Sequence, residues 1–220
     1  MKVKLFSVAV MIFSVAHFAG AQEFKDIFLP TPKMDGGKTL MQALKERQTS
    51  RAYSPKKLPL QLISDLLWAA DGINRTNSGK RTAPSTRNWQ EIDIYVVLED
   101  GTFLFDAKEN SLKAIIKQDL RKMTGTQDFV SVAPMNLVFV ADTIKMKGTS
   151  AEDQLLYAGA DTGFISQNVY LFCASEGLAT VVRGLIGDKK VLAEALKLSE
   201  GKKIILAQTV GYPETRNKNM

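Results

Sequence analysis

The chain has 220 residues, 45% of them hydrophobic and 24% charged, with a formal net charge of +6. That length supports one large domain with a sizeable core. A single cysteine, Cys173, excludes an internal disulfide, and the charges are interspersed rather than gathered into a basic stripe, which argues against a nucleic-acid surface.

Residues 1–21 read as a signal peptide. Lys2 and Lys4 make a basic start, residues 5–18 are an apolar run, and Ala19-Gly20-Ala21 has the small-x-small form of a cleavage site. The run is shorter than the roughly 20 residues a membrane span needs. Cleavage after Ala21 would leave 220 − 21 = 199 residues and a charge of +6 − 2 = +4. The expected product is exported, to a periplasm or beyond, with no stable membrane insertion. It would also lack His17, the only histidine. A chain without imidazole has no Ser-His-Asp or Cys-His nucleophile and no histidine-ligated metal. No catalytic side chain and no metal site are therefore expected.

Residues 22–38 read as a flexible lead-in, broken by Pro30, Pro32 and Gly36-Gly37. The domain proper is expected over 39–220. Thr39 with Gln42 is a capping-box pattern that starts a helix with Leu40, Met41 and Leu44 on its buried face. A second helix is expected over 59–71, with Pro59 near its first turn and Gly72 at its end. Its Leu62, Leu66, Ala69 and Ala70 repeat at helical spacing, and Trp68 is expected in the core. Residues 74–90 read as a long polar loop, and loops of that length tend to be functional or disordered.

Residues 92–98 are a predicted strand, Glu99-Asp100-Gly101 a hairpin turn, and 102–105 the returning strand. A helix is expected over 111–122. The near-continuous apolar run 135–141 predicts a strand covered on both faces. Ser150 with Asp153 opens a long helix, 150–176, of roughly 39 Å. It is apolar on most sides, so it must be buried, either by its own chain or by a partner subunit. Cys173 lies within it and is expected to be a buried spectator. A strand over 178–182, a helix over 188–196 and a strand over 203–210 complete the domain, with Gly211-Tyr212-Pro213 as its stop.

The segment Arg47-Gln48-Thr49-Ser50-Arg51-Ala52-Tyr53 follows the first helix. Positions i and i+4 of a helix share one face. Arg47 and Arg51 would then converge on one anion, for which the planar guanidinium suits a phosphate. The alternative is a solvated helix end with cations near its carbonyls.

The order of four motifs resembles the FMN-dependent nitroreductase family. They are Arg47-Gln48-Thr49-Ser50-Arg51-Ala52-Tyr53; Pro84-Ser85-Thr86-Arg87-Asn88-Trp89-Gln90; Gln167-Asn168-Val169-Tyr170-Leu171 leading to Val182-Arg183-Gly184; and Gly211-Tyr212-Pro213 with Arg216 after it. The resemblance covers residues 39–216. It implies an α+β fold, a mixed or antiparallel sheet flanked by helices around a long buried helix, and an intertwined homodimer with FMN at the subunit interface. It further implies that Arg47 and Arg51 bind the phosphate with help from Arg216, and that Gln48 and Thr49 contact the phosphate, ribityl chain or ring edge. Pro84, Ser85, Thr86 and Asn88 would meet the isoalloxazine from the other subunit, and Val182, Arg183 and Gly184 would line its N5 side. Many members carry an acidic residue where Arg183 stands, so a cation there would change the field at the ring. The hairpin 98–106 also resembles a thiazoline/oxazoline dehydrogenase branch. The implied activity is two-electron, ping-pong oxidoreduction of a small organic molecule, with NAD(P)H as one candidate donor. The competing expectations are a flavin-binding module without turnover and a basic interaction domain without cofactor.

Overall fold

The computed structural model describes residues 24–215; the expected signal peptide and Arg216 lie outside the described residues. In chain order the elements are β1 (Ile27–Phe28), α1 (Leu40–Glu46), α2 (Leu60–Asp71), β2 (Ile73–Arg75), β3 (Lys80–Arg81), β4 (Ile92–Leu98), β5 (Gly101–Asp106), β6 (Ser111–Ile116), α3 (Phe129–Val132), β7 (Met135–Asp142), α4 (Ala151–Glu176), β8 (Ala179–Arg183), α5 (Lys189–Ala195) and β9 (Lys202–Gly211). Seven strands form one antiparallel sheet in the order β1-β6-β5-β4-β7-β9-β8, and β2 pairs with β3 as a separate hairpin. This is the expected α+β architecture.

Successive side chains of a strand point to opposite faces, and the central strands bury both. Ile94 and Val96 of β4 join Leu137 and Phe139 of β7 beneath α2 and α4, which contribute Leu66, Leu67, Ala70, Ile165, Val169 and Cys173. Tyr95 and Val97 join Val138 and Val140 on the other face, under Leu192 and Leu196. The apolar run of β7 is thus covered on both sides, as its composition required. The long helix has the expected caps. Ser150 accepts the Asp153 N–H, and Gly177 closes the C-terminus in the left-handed region, φ 69°, where a residue without Cβ is unstrained.

Three expectations change. The segment expected as a helix over 111–122 opens instead with the strand β6. Leu112 is buried in the main core, and the chain pairs with β5 on one side and β1 on the other. Pairing to a ready sheet edge outweighs local helix propensity. The lead-in lies along the fold across its described part. Leu29 is buried, the Lys33 N–H donates to Asp65 at 2.7 Å and the Lys38 N–H donates to Ser175 at 2.8 Å. The polar stretch 74–90 contains the β2–β3 hairpin and a 3-10 turn, Thr86–Asn88, rather than an open loop.

The face of α1 is also reassigned. Ala43 is its buried residue, while Leu40, Met41 and Leu44 are 64%, 74% and 45% exposed on the single chain. Leu155, Leu156 and Phe164 of α4 are exposed as well. Trp68 is half-buried, its indole N–H donating to Ile73 O at 3.3 Å.

Candidate cofactor-binding cleft

The helix α1 stops at Glu46. Arg47 is its C-cap, with the N–H donated to Ala43 O at 2.8 Å and a ψ of 119° that leaves the helix. Gln48, Thr49 and Ser50 follow, and polar residues of this kind trade helical bonds for other partners. The Ser50 N–H donates to Thr180 O at 3.0 Å and Ser54 N–H to Tyr212 O at 2.9 Å, while Tyr53 bridges Pro213. The expected helical turn from Arg47 to Arg51 therefore does not form. The two guanidinium groups are presented by a non-helical segment laid along the edge strand β8.

That segment forms one wall of a cleft of about 470 Å³. Lys38, Arg47, Gln48 and Ser50 line it on this side; Tyr170 and Cys173 of α4 and Thr180 of β8 line it on the other. Tyr170 ties the walls together. Its hydroxyl shares a hydrogen bond with the Thr49 hydroxyl at 3.1 Å and accepts the Val182 N–H at 3.0 Å. The Arg47 guanidinium lies over its ring, 5.2 Å from the centroid, a contact that orients the cation without neutralising it. Among the described residues neither Arg47 nor Arg51 has a carboxylate partner. Arg51 is exposed and does not line the cleft. Burial pushes the Cys173 thiol well up, so it is an inert wall residue. Tyr170→Phe should lower unfolding stability by about 1–2 kcal/mol in a urea titration, because the Val182 N–H loses its partner. An unchanged midpoint would show that this hydroxyl does not hold β8 to α4.

Pro84, Ser85, Thr86 and Asn88 gather elsewhere. The Thr86 N–H donates to Asp161 of α4 at 2.8 Å and its hydroxyl does so at 3.3 Å. Ser85 accepts the Gln90 N–H at 3.0 Å. Arg87, Asn88 and Gln90 take positive φ values of 50°, 56° and 48°, which makes a sharp corner here. Asp161 and Tyr170 stand roughly 14 Å apart along α4 at 1.5 Å per residue. One chain thus presents two separate groups of the expected site residues.

Arg183 does not face the cleft. It is 7% exposed, and strand alternation turns it away from Val182. Its guanidinium donates to Asn136 at 2.7 Å, to the Thr209 hydroxyl at 3.0 and 3.1 Å, and to both the carbonyl and hydroxyl of Thr124. No carboxylate joins it among the described residues, and burial brings its pKa down to about 10. The expected cation at a ring edge is instead an interior tie. Gly184, next in the chain, is exposed.

Tyr170, Asp161 and Lys38 had no assigned role in the sequence. Tyr170 sat inside a quoted motif. Asp161 was the signal to notice, a carboxylate on the buried side of an apolar helix. Among the described residues no group of three or more His, Cys, Asp or Glu side chains could hold a metal ion, and no helix is long and apolar enough to cross a membrane.

The sequence matches the model of the nitroreductase family over residues 44–212. A candidate nitroreductase from Methanocaldococcus jannaschii is 28% identical over 171 residues, 73% of this chain and 85% of the relative. The crystal structure of a candidate nitroreductase from Ralstonia eutropha JMP134 superposes with a TM-score of 0.83 at 41% identity, covering 87% of this chain and 91% of that one. An NADPH:FMN oxidoreductase from Vibrio harveyi, complexed with NAD+, shares the fold with a TM-score of 0.58 at 20% identity, covering 80% and 69%.

Proposed function

Since the chain belongs to the nitroreductase family, we propose that it is an FMN-dependent oxidoreductase acting as a homodimer on a small organic substrate. The observation that carries this reading is the Arg47 guanidinium, held on the Tyr170 ring at a cleft whose one lining carboxylate, Glu46, pairs with Lys38 and not with Arg47. A phosphate monoester supplies the missing charge and the planar acceptors that a guanidinium fork matches. Lys38 stands in the same wall but is ion-paired with Glu46 at 2.5 Å, and Gln48 and Ser50 add donors suited to a polyol chain. The residues present therefore fit FMN. Arg47 would hold its phosphate with Arg51 and Arg216, and Gln48 and Thr49 would hold the phosphate or ribityl chain.

The second group, Pro84, Ser85, Thr86 and Asn88, would come from the partner subunit. Its distance along α4 from Tyr170 supports this. So do the exposed apolar residues Leu40, Met41 and Leu44 of α1 and Leu155, Leu156 and Phe164 of α4, which need cover. Val182 and Gly184 would border the ring through their backbone. Bound FMN supplies the two-electron carrier between a donor and the substrate, in turn at one face. The chain's own work is to bind, orient and shield, and to place amide donors where the reduced ring gathers negative charge.

Cleavage after Ala21 and export would put this chemistry where nicotinamides are scarce. The donor is then either NAD(P)H or a reductant of that compartment. Protein purified with added FMN should be yellow, dimeric by light scattering, and bleached in stopped flow by whichever donor it uses. Colourless protein that leaves FMN fluorescence unquenched would remove the proposal.

A further inference from the structure

Gln90 closes the Pro84–Asn88 corner, and each of its polar groups has a partner. Its N–H donates to the Ser85 hydroxyl oxygen at 3.0 Å, and its carbonyl accepts from Lys145 Nζ at 3.0 Å. Its side-chain oxygen accepts from Arg81 Nε at 3.1 Å. Its side-chain nitrogen donates to Gly79 O at 3.1 Å and to Asn88 Oδ1 at 3.2 Å. Arg81 is itself anchored on Asp71, at 2.8 Å to the carboxylate and 3.0 Å to the carbonyl. Arg87, Asn88 and Gln90 all take positive φ. Residues other than glycine stay in that region only where their neighbours over-determine them.

The two side-chain amides are oriented from one end. A guanidinium only donates and a peptide carbonyl only accepts. The Gln90 atom facing Arg81 is therefore oxygen, and the atom facing Gly79 is nitrogen. The second hydrogen on that nitrogen meets Asn88, so the Asn88 atom there is oxygen. The Asn88 nitrogen is then the free end. It has no acceptor among the described residues, and Asn88 is exposed. Ser85 is arranged alike. Its oxygen takes the Gln90 N–H, and its hydroxyl hydrogen has no acceptor among the described residues. Thr86 differs, because its N–H and its hydroxyl both donate to Asp161.

We propose that Gln90 is a positioning residue that sets the polarity of this corner. By holding Asn88 Oδ1 and Ser85 Oγ with its own donors, it leaves the Asn88 amide hydrogens and the Ser85 hydroxyl hydrogen to meet a ligand. The corner then selects acceptor atoms, such as carbonyl oxygens and unprotonated ring nitrogens. Arg81 and Lys145 hold Gln90 in place from the β2–β3 hairpin and from the turn after β7. That the ligand is the flavin ring rests on the proposed function; the donor polarity does not.

The test has two arms. In the purified protein without added FMN, NMR should show slow solvent exchange of the Gln90 side-chain amide hydrogens and fast exchange of those of Asn88. Equal, fast exchange of both would overturn the proposal. The second arm is an FMN titration of Gln90→Met, Asn88→Ala and the double variant. Gln90→Met keeps the backbone bond to Ser85 but frees Asn88 to turn its oxygen toward the ligand. It should weaken binding about 3–10-fold, the equivalent of one neutral hydrogen bond. With Asn88→Ala already in place, Gln90→Met should weaken binding no further. Losses that simply add would mean that Gln90 only supports the fold, and would overturn the proposal while leaving the flavin reading intact. Asn88→Asp is the second variant should Gln90→Met not fold. It keeps an acceptor for Gln90 but offers the ligand no hydrogen, so wild-type affinity in it would also overturn the proposal. A protein that binds no FMN but shows the exchange pattern would retain the donor polarity and discard the flavin reading.

Discussion

Alanine at both Arg47 and Arg51 should give a folded protein that no longer retains FMN. Hydrogen bonds to charged groups contribute about 1.5–3 kcal/mol each. Losing two from the phosphate should weaken binding roughly 10²–10⁴-fold, read by fluorescence quenching during an FMN titration. The two positions are unequal. Arg47 lines the cleft and rests on Tyr170, whereas Arg51 is exposed outside it. Arg47→Ala alone should account for most of the loss. The fold should survive, because the Arg47 backbone still caps α1 and its side chain forms no ion pair among the described residues. A double variant that keeps tightly bound pigment would place the phosphate elsewhere.

Arg183→Met should act on stability rather than on redox chemistry. Removing the guanidinium strands Thr124 O and leaves Asn136 Oδ1 with only the Thr209 hydroxyl, at 2.6 Å. Leaving a buried acceptor unsatisfied costs about 1–3 kcal/mol, against a typical total of roughly 5–15 kcal/mol. Urea unfolding should show the loss directly. Arg183→Lys should rescue little of it, since one ammonium cannot reach Thr124, Asn136 and Thr209 in the geometry of the fork. A variant of wild-type stability but shifted flavin potential would restore the cation to the ring edge, where the family resemblance had put it.

That reversal shows where the sequence was legible and where it was not. The strands β4 and β7 could be read directly, because alternation and apolar content report burial on two faces. The ends of α4 could be read because Ser150, Asp153 and Gly177 act locally on backbone groups. Arg183 could not be placed, since the face it takes depends on which side of β8 meets the Asn136–Thr209 network. Arg47 and Arg51 were found as residues, but their geometry was not. Whether α1 continued past Glu46 was decided by the distant Thr180 carbonyl, which claims the Ser50 N–H. β6 is illegible for the same reason: its partners, β1 and β5, are non-local or formed by the returning hairpin.

The helix α4 carries Asp161 near its middle and Tyr170 two and a half turns further on, so it fixes the pitch between two groups of residues that serve different ends of the molecule. Each residue added or removed between them would swing one group about 100° around the axis relative to the other. Side chains along that interval can vary with their surroundings. Its length cannot, and the helix acts as a gauge that both groups must share.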